Sequence, residues 1–463
     1  MINYFKNLKF KLSDYFLMLG LVLSLPCLIE RTFMVRIDNP VSTTIPLWIL
    51  IVSFVLMIGC FAAFIVLERN GELVNKNPLV VIPFVVIFII ATVSIFVQPN
   101  EIHNTVFIQN SNVGIIGSSV DVTTTISTQT KLVSWFCITV VLIGCYVGIF
   151  VLPKRVKYIE TISFACFLFH TYLIVCILFS YVTEFNNYIS LFKNVFTLSD
   201  LTTIDQVAPT SFLYHRNVYG TFLMFGVFTS IVFEQLNGKK PWLILTGFLY
   251  INLLFTIYKS GIILTNIAII AYLIYRSIIY LKVNKKNALI NLITIGSLIL
   301  LMCIVFLSLY FGVGSIHEKI DSLFKNGDTL KSRINIWKTT FIILQPAWWL
   351  IGRGGWIFNN ILRNCNIAAQ GDYTGSTHNA FLSLITLGGL PLLLGFIAIC
   401  VYVVKKGIIA YGYNKNLTSL IMTMFTTFML SAIIEANYYM PLVILIGLLI
   451  IVNYYQSQNK CDM

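Results

Sequence analysis

Charge is scarce in this chain. Only 11% of its 463 residues are Asp, Glu, Lys or Arg, against roughly a quarter in soluble globular proteins, so a soluble domain is excluded. Paired cysteines are lacking too. Ten cysteines are present with no C-x-x-C spacing, and most, such as Cys60, Cys145, Cys176 and Cys303, lie inside apolar runs where a thiol behaves as a small hydrophobe. Nothing in that pattern reads as a disulfide framework. The net charge of +13 has no clustered basic patch behind it; it is spread over many short loops, which excludes nucleic acid as a partner.

Long apolar runs are what the chain has. Hydrophobic residues make up 58% of it, and the mean hydropathy is +0.86, the composition of an integral membrane protein. Windows of about twenty apolar residues, enough to cross the hydrocarbon core, occur about twelve times. They lie near 15–32, 45–67, 78–97, 132–152, 158–182, 217–235, 241–258, 261–281, 288–312, 379–404, 416–434 and 438–456. The expected architecture is therefore an all-α polytopic membrane protein, a single integral domain over residues 1–463.

The loops sort by charge. Lys6, Lys9 and Lys11, then Lys154, Arg155 and Lys157, then Lys239 and Lys240, then Lys282, Lys285 and Lys286, then Lys405, Lys406 and Lys415 all fall on one side when spans are counted alternately. That side reads as cytoplasmic, with both termini on it. The first apolar run has no small-residue cleavage site and reads as a span, not a removable signal.

The opposite side carries the long loops and most of the acidic residues, among them Glu101, Asp121, Glu184, Asp328 and Asp372. The loop near 98–131, rich in Ser, Thr, Asn and Val, reads as a small hairpin or a flexible cover. The largest loop, 313–378, contains Ser332-Arg333-Ile334-Asn335-Ile336-Trp337-Lys338, an apolar segment ending at Gln345-Pro346, and Trp348-Trp349-Leu350-Ile351-Gly352-Arg353-Gly354-Gly355. Ile334 to Leu344 is too short to span and suits a helix in the interface. Trp348 and Trp349 read as interfacial anchors.

Several residues on that face suit phosphate and proton chemistry. A guanidinium is planar, permanently charged and bidentate toward phosphate oxygens, which marks Arg333, Arg353 and Arg216 as candidates; Lys259 adds a point charge in the turn before the eighth window. Each has a plainer alternative as a headgroup contact. His378 stands with Asn379 at the head of the tenth window, where an imidazole titrating near neutrality serves as general base or simply as a helix-entry residue. Glu435 lies at the end of the eleventh window and needs a partner at the hydrocarbon edge. His170, mid-window, reads as a packing residue.

The order Arg333 to Trp337, Pro346, Gly352 to Gly355, then His378-Asn379 heading a helix that reaches Gly388-Gly389 resembles the signature of the bacterial O-antigen polymerase and ligase superfamily. The resemblance implies a GT-C-like all-helical fold with a large extracytoplasmic loop containing short interfacial helices. It implies glycosyl transfer at the outer face of the bacterial inner membrane from a polyprenyl-diphosphate-linked oligosaccharide, with no metal or other cofactor. Donor, acceptor and membrane lipids are the implied partners, along with a chain-length regulator and a flippase. By position, Arg333 and Arg216 look like the cations holding the diphosphate, and His378 like the loop histidine that activates the acceptor hydroxyl. Arg353, Asn379 and Glu435 complete the candidate set. Many relatives carry Ser-Arg where this chain has Ser260-Gly261, which leaves Lys259 to supply that charge.

Three further readings compete with a repeat-unit polymerase. A ligase uses the same residues to deliver the glycan to lipid A core or another acceptor. A flippase for the same lipid is disfavoured because no repeat relates the two halves and ionisable residues gather at one face instead of inside spans. A metal-dependent transferase would draw on Glu30 and Asp38 of the first outer loop.

Overall fold

A computed structural model describes residues 47–67, 78–107, 119–146, 158–196, 208–211, 216–237, 241–283, 328–370 and 377–434, with scattered positions among 12–20 and 285–300. In chain order its elements are α1 (Leu47–Leu67), α2 (Pro78–Val97), β1 (Glu101–Phe107), β2 (Ser119–Thr125), α3 (Thr128–Tyr146), α4 (Tyr158–Thr183), α5 (Phe185–Phe196), α6 (Arg216–Asn237), α7 (Pro241–Phe255), α8 (Lys259–Val283), α9 (Asp328–Ile351), α10 (Gly355–Gln370), α11 (Ala380–Tyr413) and α12 (Lys415–Ile434). Nine of the apolar windows coincide with helices. Those near 15–32, 288–312 and 438–456 lie wholly or largely outside the described residues, as does Glu435.

Among the described residues, Lys259–Ile278, Ala380–Tyr413 and Lys415–Ile433 are long and apolar enough to cross a membrane. Phe54–Leu67, Phe84–Val97 and Pro241–Phe255 are shorter apolar stretches, and Phe169–Thr183 with Phe185–Leu191 qualifies only as a pair, bent by 81°. The chain is thus an integral membrane protein by its helices, and the count of about twelve spans remains an expectation from sequence.

The chain divides into two compact units. Unit 1 takes residues 1–165, 330–406 and 432–461; unit 2 takes 166–329, 407–431 and 462–463.

In unit 1 the loop near 98–131 is a hairpin. β1 and β2 pair antiparallel with Glu101 opposite Thr125 and Phe107 opposite Ser119, and alternate residues Ile102 and Asn104 on β1, Val122 and Thr124 on β2, turn inward. Amphipathic α10 packs on it. Ile357, Phe358, Ile361, Leu362 and Cys365 form one fully buried face at the i, i+4, i+8 spacing of a helix stripe, and Asn364 donates to Thr124 Oγ1 at 3.1 Å.

α11 has 34 residues, about 50 Å of helix against a hydrocarbon core of about 30 Å. It breaks at Gly388 (φ −142°) and Gly389 (φ 72°), leaving a short leading segment from Ala380 and a following segment of spanning length. A pair of glycines lets another segment approach closely. What approaches is the irregular turn Gly352-Arg353-Gly354. A Cβ on Gly352 would stand 2.7 Å from the Gly388 nitrogen and 2.8 Å from that of Gly389, and one on Gly389 would overlap the Leu350 carbonyl. The Arg353 amide donates to the Thr386 carbonyl at 2.7 Å, and Ser94 Oγ to the Gly352 carbonyl at 2.6 Å. Gly389→Ala adds a Cβ both to a left-handed backbone and into this contact, so a loss of about 2 kcal/mol or more is expected. Thermal unfolding in detergent measures it.

In unit 2, α6 is buried along much of its length, including Tyr219, Leu223, Met224, Val227, Phe228 and Val232. His170 is buried beside it, edge-on to Phe233 and Trp242 and 3.1 Å from Thr229 Oγ1. It is a packing residue, as the sequence suggested. Glu184, at the bend between α4 and α5, accepts from Thr210 N and Oγ1, Ser211 N and Ser180 Oγ, which ties down the segment that precedes α6.

Candidate active site

Unit 1 contains Arg333, Trp337, His378, Asn379 and Arg353. α9 runs from Asp328 and is broken at Gln345 (φ 38°, ψ 150°) ahead of Pro346, because proline has no N–H and its ring clashes with the preceding turn. The helix before the break contains the expected Ile334–Leu344 segment but starts six residues earlier, at Asp328. Arg333 and Trp337 sit one turn apart on the same face of it.

The Trp337 indole N–H donates to the Thr377 carbonyl at 2.9 Å. The residue next to His378 is therefore fastened to the helix face that carries Arg333. His378 itself has φ 46°, a left-handed backbone that costs a non-glycine residue about 1–2 kcal/mol. The neighbours enforce it. Buried Thr377 places its hydroxyl 3.1 Å from the Asn379 carbonyl and 2.6 Å from Ser383 Oγ. Asn379 caps α11, its Oδ1 accepting from the Leu382 amide at 3.0 Å, the usual duty of an asparagine at this position. Its Nδ2 donates to the Ile433 carbonyl at 3.1 Å.

Asn379 was a candidate for sugar or diphosphate contact. Both ends of its amide hold hydrogen bonds within the protein, and its Nδ2 keeps a second N–H for that contact. Replacing Trp337 with phenylalanine keeps a ring and deletes the donor. About a tenfold lower turnover is expected, the worth of one hydrogen bond, with little change in thermal midpoint; initial rates and melting curves check it.

Arg353 is 4% exposed. Its guanidinium lies over the Trp348 ring at 4.7 Å, and its buried Nε has no hydrogen-bond partner among the described residues. Burial lowers its pKa to about 10, with the nearby Cys365 thiol opposing the fall, so it remains a cation at neutral pH. Trp348, expected as an interfacial anchor, supports this cation, while Trp349 stacks on Phe341 with centroids 5.5 Å apart.

Unit 2 holds Arg216 and Lys259. Each is the first residue of its helix, α6 and α8, and neither first turn contains an acidic residue. Cations at the positive end of a helix dipole are unfavourable, and that same arrangement attracts anions. Tyr258 brings the two helix starts together. It is 1% exposed, its hydroxyl 3.0 Å from Ser431 Oγ, and a Cβ on Gly220, one turn into α6, would lie 2.6 Å from Tyr258 Cβ. A Cβ on Gly261 would overlap the same ring. The tyrosine occupies the space a side chain at position 261 would need, which accounts for the glycine there.

Among the described residues no group of three or more His, Cys, Asp or Glu is placed to hold a metal ion; Glu30 and Asp38 lie outside them.

Residues 243–397 match the family described as O-antigen ligase. The match runs from α7 into α11 and takes in Lys259, Arg333, Arg353, His378 and Asn379, whereas Arg216 lies before it. It supports placing the chain in the O-antigen ligase and polymerase superfamily. No curated protein and no solved structure matches.

Proposed function

We propose that the chain transfers an oligosaccharide from a polyprenyl diphosphate to a second lipid-linked oligosaccharide at the outer face of the bacterial inner membrane, building an O-antigen or capsular polysaccharide. The observation that carries this reading is the Trp337–Thr377 hydrogen bond, which couples a candidate diphosphate cation, Arg333, to a histidine held in a strained conformation. Strained backbone of this kind persists where the surroundings over-determine it, and functional sites are where it collects.

In the proposed reaction an acceptor hydroxyl attacks the anomeric carbon of the donor sugar. The bond from that carbon to the diphosphate oxygen breaks, and the electron pair leaves with the diphosphate. His378 takes the hydroxyl proton. Arg333 and Arg353 meet the negative charge that develops on the leaving group, the kind of fixed electrostatic stabilisation that supplies a large share of catalysis. Arg216 and Lys259 of unit 2 stay candidate diphosphate-binding cations on the sequence reading alone, and Glu435 is proposed as the partner that orients His378 or an arginine. No metal is required, so activity is expected to survive a chelator; loss in EDTA with recovery on adding a divalent cation would favour a metal-dependent transferase.

The polymerase reading is preferred to the ligase reading because the sequence has no feature marking a lipid A or protein acceptor. Purified lipid-linked repeat units separate the two. A ladder of lengthened glycans without a second acceptor supports the polymerase; product only on adding a different acceptor supports the ligase.

A further inference from the structure

Unit 2 contains a cavity of about 570 Å³ between α8, the last turns of α11 from Gly407 to Tyr413, and α12. All three helices belong to stretches long and apolar enough to span a membrane, and the Lys405–Lys415 segment that closes the cavity at one end belongs at the membrane edge. Its wall includes Leu264, Ile267, Ile408, Met422 and Leu430, of which Ile267, Ile408 and Leu430 are exposed at its rim. The hydroxyl residues that also line it do not make it polar. Ser419, Thr423, Thr426 and Thr427 donate to the carbonyls four residues earlier at 2.6–3.0 Å, which leaves carbon facing the space. From Thr418 to Leu430 the wall runs about 18 Å along α12, close to the depth of one leaflet's hydrocarbon.

One end of the cavity is different. There the Tyr275 and Tyr411 hydroxyls meet at 2.7 Å, Lys415 Nζ lies over the Tyr411 ring at 6.0 Å, and the Thr418 hydroxyl is buried with no hydrogen-bond partner among the described residues. Lys415 is exposed, as are Lys285 and Lys286, which follow Tyr275 along the chain by ten and eleven residues. Residues 259–286 and 405–434 contain no Asp or Glu at all. An elongated apolar cavity that ends in hydroxyls beside an exposed lysine matches a lipid with a negatively charged headgroup.

We propose that this cavity binds one acyl chain of an anionic phospholipid, with the headgroup at the Tyr275–Tyr411–Lys415 end. None of the residues lining it is among those assigned to glycosyl transfer.

The test is native mass spectrometry of the full-length protein with phosphatidylglycerol and phosphatidylcholine of identical chains added in equal amounts. Wild-type protein is expected to retain one phosphatidylglycerol at least about tenfold more than phosphatidylcholine, since each lysine near a headgroup contributes roughly a kilocalorie of attraction. The triple variant Lys285→Gln/Lys286→Gln/Lys415→Gln, altered only at exposed positions, is expected to bring the ratio near one. Ala271→Phe, which fills the cavity from an exposed position, is expected to lose both lipids; if it fails to accumulate, the lysine variant decides. Equal retention of the two lipids by wild type, or an unchanged ratio in the triple variant, overturns the proposal. So does displacement of phosphatidylglycerol by an equal amount of polyprenyl phosphate, which would make the cavity a substrate-tail site, or a lipid-free dimer, which would make it a contact between copies.

Discussion

His378→Ala is expected to lower glycosyl transfer by about a hundred- to ten-thousand-fold, the range over which a positioned general base acts, while the protein still accumulates in the membrane. The structural part of the loop does not depend on the imidazole. Trp337 bonds the Thr377 carbonyl, and Asn379 caps α11 through its own amide, so both anchors survive the substitution. Relief of the left-handed strain is limited because alanine disfavours φ 46° as histidine does. The loss should therefore fall on turnover and not on the quantity of folded protein. His378→Ala enzyme with normal turnover at native expression would remove the histidine from the reaction.

Arg333→Ala is expected to be as damaging for a different reason. It removes a charge that meets the leaving diphosphate, and losing one such electrostatic contact costs about a hundred- to a thousand-fold. Arg333→Lys restores the charge without the bidentate fork, so it should recover only part of the rate. Arg333 is half-buried on α9, and the Trp337–Thr377 bond one turn away gives an internal control. If Arg333→Ala also lowers the melting temperature as Gly389→Ala does, its role is in packing; if the midpoint holds while the rate collapses, its role is in chemistry.

The helices were legible where apolar length alone announces them. α1, α2, α8 and α12 begin and end within a few residues of the apolar windows. The break in α11 was not, because a window that averages hydropathy passes smoothly over Gly388-Gly389. Only the backbone angles and the close approach of Gly352 show that the glycines serve a crossing by an irregular turn. α10 was hidden for the opposite reason: Asn359, Asn360, Arg363 and Asn364 dilute its apolar stripe below what hydropathy detects, although the spacing of Ile357, Phe358, Ile361 and Leu362 shows it. The hairpin at 101–125 was legible only as one of two readings of a segment rich in Ser, Thr, Asn and Val.

The candidate site was legible in its charges but not in their supports. Arginine and histidine stand out in an apolar chain, which made Arg333, Arg353 and His378 visible. Nothing in the local sequence says that Trp337 binds the Thr377 carbonyl forty positions away, that Trp348 lies beneath Arg353, or that Tyr258 fills the space beside Gly261. Those contacts depend on how distant segments meet, and they distinguish a held histidine from one that merely opens a helix.

The central claim is that a sugar–diphosphate bond breaks as the new glycosidic bond forms. Its most direct measurement follows released polyprenyl diphosphate and glycan length together, in vesicles containing only the purified protein and lipid-linked repeat units, with chelator present. One polyprenyl diphosphate is expected for each repeat unit added, with both products falling together in the His378→Ala protein. Lipid-linked units that move between leaflets with no polyprenyl diphosphate released would contradict it and point to a transporter.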